Sequence, residues 1–331
     1  MGDILVLNES QLRACVTLDR ALIDEISQAF ACLAGEGVVM PPVLSMAMPA
    51  LNAEVDIKTA YVPGLPGFAI KASPGFFNNP AAGLPSLGGF MVVLSAVTGQ
   101  VQAVLLDNGY LTDLRTAAAG GVAARYLAPE QVPVAGIIGA GVQADLQARA
   151  LMLERPVGEF RVWARDADKA AAFAEGAARR WGRPVSVCAD RAVLVRESQV
   201  LLTTTASRQP LLEADWLHPG LHITAMGADA PDKTELAPAV AEAADVFVVD
   251  RLSQSLERGE LRVPLVEQKR RLRQAPVELA ELCRQARSGR PSPQAVTVAD
   301  LTGTGIQDTA IANLALRIAA GRAIGTMIEN R

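Results

Sequence analysis

The residues with the plainest chemical use lie in Val134-Ala-Gly-Ile-Ile-Gly-Ala-Gly-Val-Gln-Ala-Asp-Leu-Gln147. An apolar run leads into Gly139-Ala140-Gly141-Val142-Gln143-Ala144, and a helical pattern follows through Leu146, Ala150, Leu151 and Leu153. Gly139 permits a tight turn, and Gly141 lets the backbone approach a pyrophosphate. Ala144 lets helix pack on strand, while the helix N-terminus offers unpaired N–H groups to an anion. That is a dinucleotide site; the blander alternative is a tight turn between buried elements. Asp229, at the end of the apolar run Leu221-His-Ile-Thr-Ala-Met-Gly-Ala-Asp, could take or give a proton beside a nicotinamide, with Lys233 four residues on. As a plain turn or cap residue it would be equally ordinary. Two cations complete the set. Lys71 sits among apolar neighbours in Phe68-Ala-Ile-Lys-Ala, and Arg115 at the start of an Ala-rich helix, where the macrodipole opposes it. A solvent-facing Lys and a surface Arg remain open as readings of both.

The elements that must position these residues read as two kinds. After the glycine turn, Phe160-Arg-Val-Trp-Ala is the second strand of a nucleotide unit and ends at Ala164-Arg165-Asp166. Arg165 there suits a 2′-phosphate and an acid suits a ribose hydroxyl, so the cofactor is NAD or NADP, tilted to NADP. Asp166 could instead cap a helix over 167–181. Gln199-Val-Leu-Leu-Thr-Thr-Thr-Ala is a strand whose end carries Thr204. The Leu221 strand ends in Met226 and Gly227, and Ala244-Asp-Val-Phe-Val-Val-Asp is a further strand. Helical stretches alternate with them, which predicts an α/β fold, a Rossmann doubly wound parallel sheet. Before residue 128 the pattern differs. A helix starts near Thr17, and then short runs 43–48, 55–62, 68–73, 90–95 and 101–106 are broken by Pro, Gly and Asn, which predicts an antiparallel sheet. Residues 253–293 read as solvated, charged helices with a loop at Ser288-Gly-Arg-Pro291.

Composition excludes several classes. The chain has 331 residues, half of them hydrophobic, enough for two domains. No apolar run reaches membrane length, so no membrane association and a cytoplasmic location are expected. A net charge of −4 with interspersed signs argues against a nucleic-acid partner. Cys15, Cys32, Cys188 and Cys283 show no metal or redox spacing. His218 and His222 are separated by Pro219-Gly220, which forbids a helical ligand pair, so no metal is expected.

Taken together, certain stretches form a recognisable pattern. They are Lys71 to Asn79, Gly83-Leu-Pro-Ser-Leu-Gly-Gly, Asp107-Asn-Gly-Tyr-Leu-Thr-Asp-Leu-Arg-Thr-Ala-Ala, Gly139 to Gln143, Gly227-Ala-Asp-Ala-Pro-Asp-Lys-Thr-Glu-Leu and Thr302-Gly-Thr-Gly-Ile-Gln-Asp-Thr-Ala. Across nearly its whole length the chain resembles the ornithine cyclodeaminase and mu-crystallin family, with its ectoine-utilisation branch most similar. The resemblance implies a discontinuous α+β substrate and dimerisation domain, 1–128 with 307–331, beside a Rossmann domain, 129–306. It implies a homodimer and a small amino-acid or imino-acid substrate. Lys71 and Arg115 would hold the substrate carboxylate, Asp229 would be the acid/base, and Ser86, Thr116 and Lys233 would lie near the cofactor. The activities implied are imine reduction or amino-acid dehydrogenation by hydride transfer at Cα. The alternatives are cyclodeamination of a diamino acid with recycled NAD, or nicotinamide binding without catalysis. Two departures stand out: Val43 replaces an Arg that follows the early prolines in many members, and Lys58 replaces a Glu of the ornithine cyclodeaminases. Lys58, Lys71 and Arg115 converging would make a strongly positive pocket, better suited to a dicarboxylate than to a diamine.

Overall fold

A computed structural model describes residues 2–330. The chain forms two compact units, residues 1–116 with 304–331 and residues 117–303. The border falls inside the helix Tyr110–Leu127, not after it.

The first unit carries a seven-stranded sheet. In spatial order its strands are Thr326–Ile328, Ile4–Asn8, Val101–Leu106, Phe90–Ser95, Gly67–Phe76, Ala53–Thr59 and Leu44–Met48. The sheet is mixed, not purely antiparallel, because Ile4–Asn8 runs parallel to Val101–Leu106. Side chains alternate across each strand. Ala69, Lys71, Met91, Val93, Ala103 and Leu105 are buried on one face. That face receives the helix Gly305–Arg322, which also packs on the helix Arg20–Leu33. The opposite face is apolar and open: Leu44, Met46, Ile70, Phe90 and Leu106 are all exposed, Leu44 and Met46 by more than half.

The second unit is an eight-stranded, wholly parallel sheet. Its order is Val277–Glu278, Val246–Val249, Thr297–Asp300, His222–Ala225, Val200–Thr203, Val132–Ile138, Val157–Trp163 and Val185–Val187. This is the doubly wound Rossmann fold. The strand order reverses between Val132–Ile138 and Val200–Thr203, the place where such sheets take a ligand. Helices cover both faces through two apolar clusters, one around Ile138, Leu201, Ile223 and Phe247, the other around Ile137, Ala144, Leu151 and Phe160. The strand Thr297–Asp300, which the Gly/Thr-rich sequence around it concealed, lies inside this sheet.

The stretch 253–293 is not simply solvated. Ser255, Arg258 and Glu260 are buried, and Arg290 bonds the carbonyls of Leu127 and Ala295 and the hydroxyl of Thr297. No described helix is long and apolar enough to cross a membrane.

Candidate active site

In the first unit, strand pairing sets Lys58 directly opposite Lys71, on the buried face. The helix Tyr110–Leu127 places Arg115 in its second turn, 4% exposed. The helix Gly305–Arg322 starts with a capping box in which Thr304 and Gln307 bond each other's backbone N–H groups. One residue on, Asp308 is fully buried. Its Oδ1 lies 3.1 Å from Lys71 Nζ and 3.0 Å from Arg115 Nε. Gln307 Oε1 is 3.5 Å from an Arg115 Nη. The sequence marks Asp308 only as part of the Thr302-to-Ala310 stretch; its buried pairing with both cations was missed.

Burial is the largest cause of a depressed Lys71 pKa, followed by repulsion from Arg115. Asp308 opposes these, Lys58 adds to them, and the result is about 7. Lys71 therefore changes charge near neutrality. Asp107, 1% exposed and within reach of the Lys71 charge, accepts from Leu111 N at 2.9 Å; burial pushes its carboxyl up. Ser86 and Thr116 are half-buried, and Ser86 O accepts from Phe76 N.

In the second unit, Gly139 adopts φ +126°, and a Cβ there would lie 2.5 Å from Thr204 Oγ1. Glycine is required on both counts. The turn joins two strand ends: Gly139 N donates to Trp163 O, and Thr204 N to Ile138 O. Gly141 is the N-cap of the helix Val142–Glu154 and supplies no side-chain cap; a Cβ on Gly141 would meet nothing within 4 Å. Val142 is exposed and Gln143 half-buried, while Ala144 is fully buried in the core beneath. Open backbone N–H groups at the start of a 13-residue helix fit a dinucleotide pyrophosphate.

Arg165 and Asp166 are exposed past the second strand. Asp166 is the N-cap of the helix Ala167–Trp181, its Oδ1 accepting from Asp168 N and Lys169 N. Met226 and Gly227 follow the strand His222–Ala225, with Met226 N bonded to Thr203 O. Asp229 is partly exposed, its Oδ1 2.8 Å from Lys233 Nζ, and Arg258 holds the Asp229 carbonyl at 3.2 Å. His222 is fully buried between the hydroxyls of Thr297 and Thr224, and burial first, then Arg290, depresses it to about 3. It is a neutral structural residue. Among the described residues no group of three or more His, Cys, Asp or Glu could hold a metal.

One unit is a doubly wound sheet with an open glycine turn, the architecture of dinucleotide-dependent oxidoreductases, and the other buries a lysine and an arginine on one carboxylate. The model of the ornithine cyclodeaminase/mu-crystallin family matches residues 4–319, and the chain belongs to that family. It is an enzyme. A Rhizobium meliloti (strain 1021) protein named as a dehydrogenase is 49% identical over 331 residues, covering all of both chains. Among solved structures, an archaeal alanine dehydrogenase dimer with bound NAD superposes with a TM-score of 0.91 at 30% identity. It covers 99% of this chain and 100% of that one. Thermococcus litoralis Δ1-pyrroline-2-carboxylate reductase, in complex with NADH and L-proline, gives 0.91 at 26% identity, covering 98% and 100%.

Proposed function

We propose that the enzyme interconverts a small α-amino acid and its imine or keto acid, using NAD or NADP. The observation that carries this is the buried Lys71–Asp308–Arg115 cluster, two cations fixed on one carboxylate oxygen. The nicotinamide, when bound, supplies or accepts the hydride at the substrate Cα. Gly141, Val142 and Gln143 offer backbone N–H groups to the pyrophosphate, and Gly139 makes the tight turn before them. Thr204, Met226 and Gly227, at the carboxyl ends of two neighbouring strands, flank the nicotinamide half. Lys71 and Arg115 hold the substrate carboxylate, and Lys71 as ammonium polarises the C=N bond. Asp229, steadied by Lys233, moves the proton at the substrate nitrogen.

The buried acids revise the charge argument. Three cations, Lys58, Lys71 and Arg115, stand against two carboxyls, Asp107 and Asp308. Asp308 therefore offsets part of the positive charge that Lys71 and Arg115 present to a substrate carboxylate. A carboxylate substrate fits these two cations better than a diamine does. Arg165, exposed where Ala164 offers no acid to a ribose hydroxyl, favours NADP. The open apolar face of the first unit's sheet is the surface on which a second copy docks, giving a homodimer.

The test is a nicotinamide absorbance assay with NADH and NADPH against pyruvate, oxaloacetate and a cyclic imine, in the presence of ammonia. Consumption of reduced cofactor with one acid is expected. Ammonia released from ornithine or diaminobutyrate without net cofactor turnover would replace this reading with cyclodeamination.

A further inference from the structure

Behind the strand ends of the second unit lies a line of buried acids that the reaction does not use directly. Glu235, fully buried, accepts four hydrogen bonds. Oε1 takes Thr205 N at 2.6 Å and Thr205 Oγ1 at 2.7 Å. Oε2 takes Thr203 Oγ1 at 2.6 Å and Gly227 N at 2.9 Å. One carboxylate thus staples the carboxyl ends of two adjacent parallel strands, Val200–Thr203 and His222–Ala225. The closure is tight: a Cβ on Gly227 would strike the Thr205 carbonyl oxygen and the Glu235 carboxyl. Glu260 secures the other side of the loop. It accepts from Glu235 N at 2.7 Å, Thr234 Oγ1 at 2.9 Å and Leu236 N at 3.2 Å. Its own N–H donates to Asp300 Oδ2 at 3.0 Å, at the end of the third neighbouring strand. Asp229 lies within the loop so pinned.

We propose that Glu235 is a positioning residue: its carboxylate fixes the shape of the 203–205 and 227–233 strand ends, and so sets where the cofactor-facing backbone and Asp229 stand. The role rests on the nicotinamide reading above. Each carboxylate oxygen receives one backbone N–H, which cannot turn round to accept. Glu235→Gln keeps the size but must aim its NH2 at one of those N–H groups, whichever way the amide is flipped. Burial pushes both carboxyls up, Glu260 to about 8 with the Glu235 charge adding to it, while the four donors around Glu235 act against its burial and favour its carboxylate form.

The experiment uses the full chain. NADH and NADPH affinity are followed by fluorescence titration, kcat and KM by steady-state rates, and folding by thermal melting. E235Q is expected to weaken cofactor binding and lower kcat by about tenfold or more each, while KM for the amino or keto acid stays within about twofold. The pair T203V/T205V removes two hydroxyl donors but spares both backbone bonds, and is expected to shift the same two quantities by about threefold. A folded E235Q with wild-type cofactor affinity and kcat overturns the assignment. Should E235Q not fold, wild-type values in T203V/T205V do the same. A wild type that binds neither cofactor overturns the functional reading itself, and the assignment with it.

Discussion

Asp308→Asn tests the electrostatic core of the site most directly. Asparagine keeps an oxygen for Lys71 and Arg115 and removes the negative charge. At 3.1 Å, and at an effective dielectric of about 20, a unit pair interacts by about 5 kcal/mol. One pKa unit is 1.36 kcal/mol, so even if relaxation returns two-thirds of that energy, more than one unit remains. The sign follows from the causes at Lys71: Asp308 raises its pKa, and burial, Arg115 and Lys58 lower it. In the wild type, Lys71 loses its proton as pH rises through about 7. If the ammonium form holds the substrate carboxylate, log kcat/KM falls on the alkaline side of that value. In D308N the limb moves down by at least about one unit, so activity at neutral pH drops about tenfold or more and recovers partly on acidification. The assay is initial-rate nicotinamide absorbance across the pH range, with both proteins on the same substrate so that its own titration cancels. An alkaline limb at the same pH in both proteins would refute the assignment of Lys71 as the titrating cation.

Three further outcomes are expected. Burial raises Glu260 from 4.5 unfolded to about 8 folded, so the native state holds a proton the unfolded chain has lost; its contribution to stability is full below about pH 4.5 and drains away by about pH 8. Urea midpoints should therefore fall between those limits, and Glu260→Gln should flatten the fall; equal slopes in both proteins would contradict it. Arg165→Ala should weaken NADPH by about tenfold and leave NADH unchanged, by loss of one charge-assisted bond to the 2′-phosphate; equal loss for both cofactors would mean that Arg165 does not read the phosphate. Ile70→Lys, on the open apolar face, should turn a dimer into a folded monomer by sedimentation, and an unaltered dimer would place the interface elsewhere.

What could be read from the sequence was what has a local signature. The glycine turn, the helix 167–181 and the apolar strands of the doubly wound sheet follow from turn chemistry and periodicity, and the structure places them where those rules put them. Short or polar strands gave too little periodicity: Val185–Val187 and Val277–Glu278 are three and two residues long, and Thr297–Asp300 runs straight into Gly/Thr-rich chain. Ile4–Asn8 is apolar but leads at once into a helix.

The buried acids were illegible for a different reason. An Asp in the first turn of a helix is a favourable choice on the macrodipole alone, so Asp308 carried no anomaly in its own segment. Its meaning depends on Lys71 and Arg115, 237 and 193 residues away, and no window contains all three. Glu260 sits in the charged stretch 253–293, which reads as solvated, yet it is buried. A pattern argument sees an excess of cations wherever it can recognise the cations and not their partners. The excess inferred at Lys58, Lys71 and Arg115 leaves out Asp308, which pairs with two of the three. The positive charge left over for a substrate decides between one carboxylate and two, and the rate ratio of pyruvate to oxaloacetate under the same ammonia concentration is its direct measure.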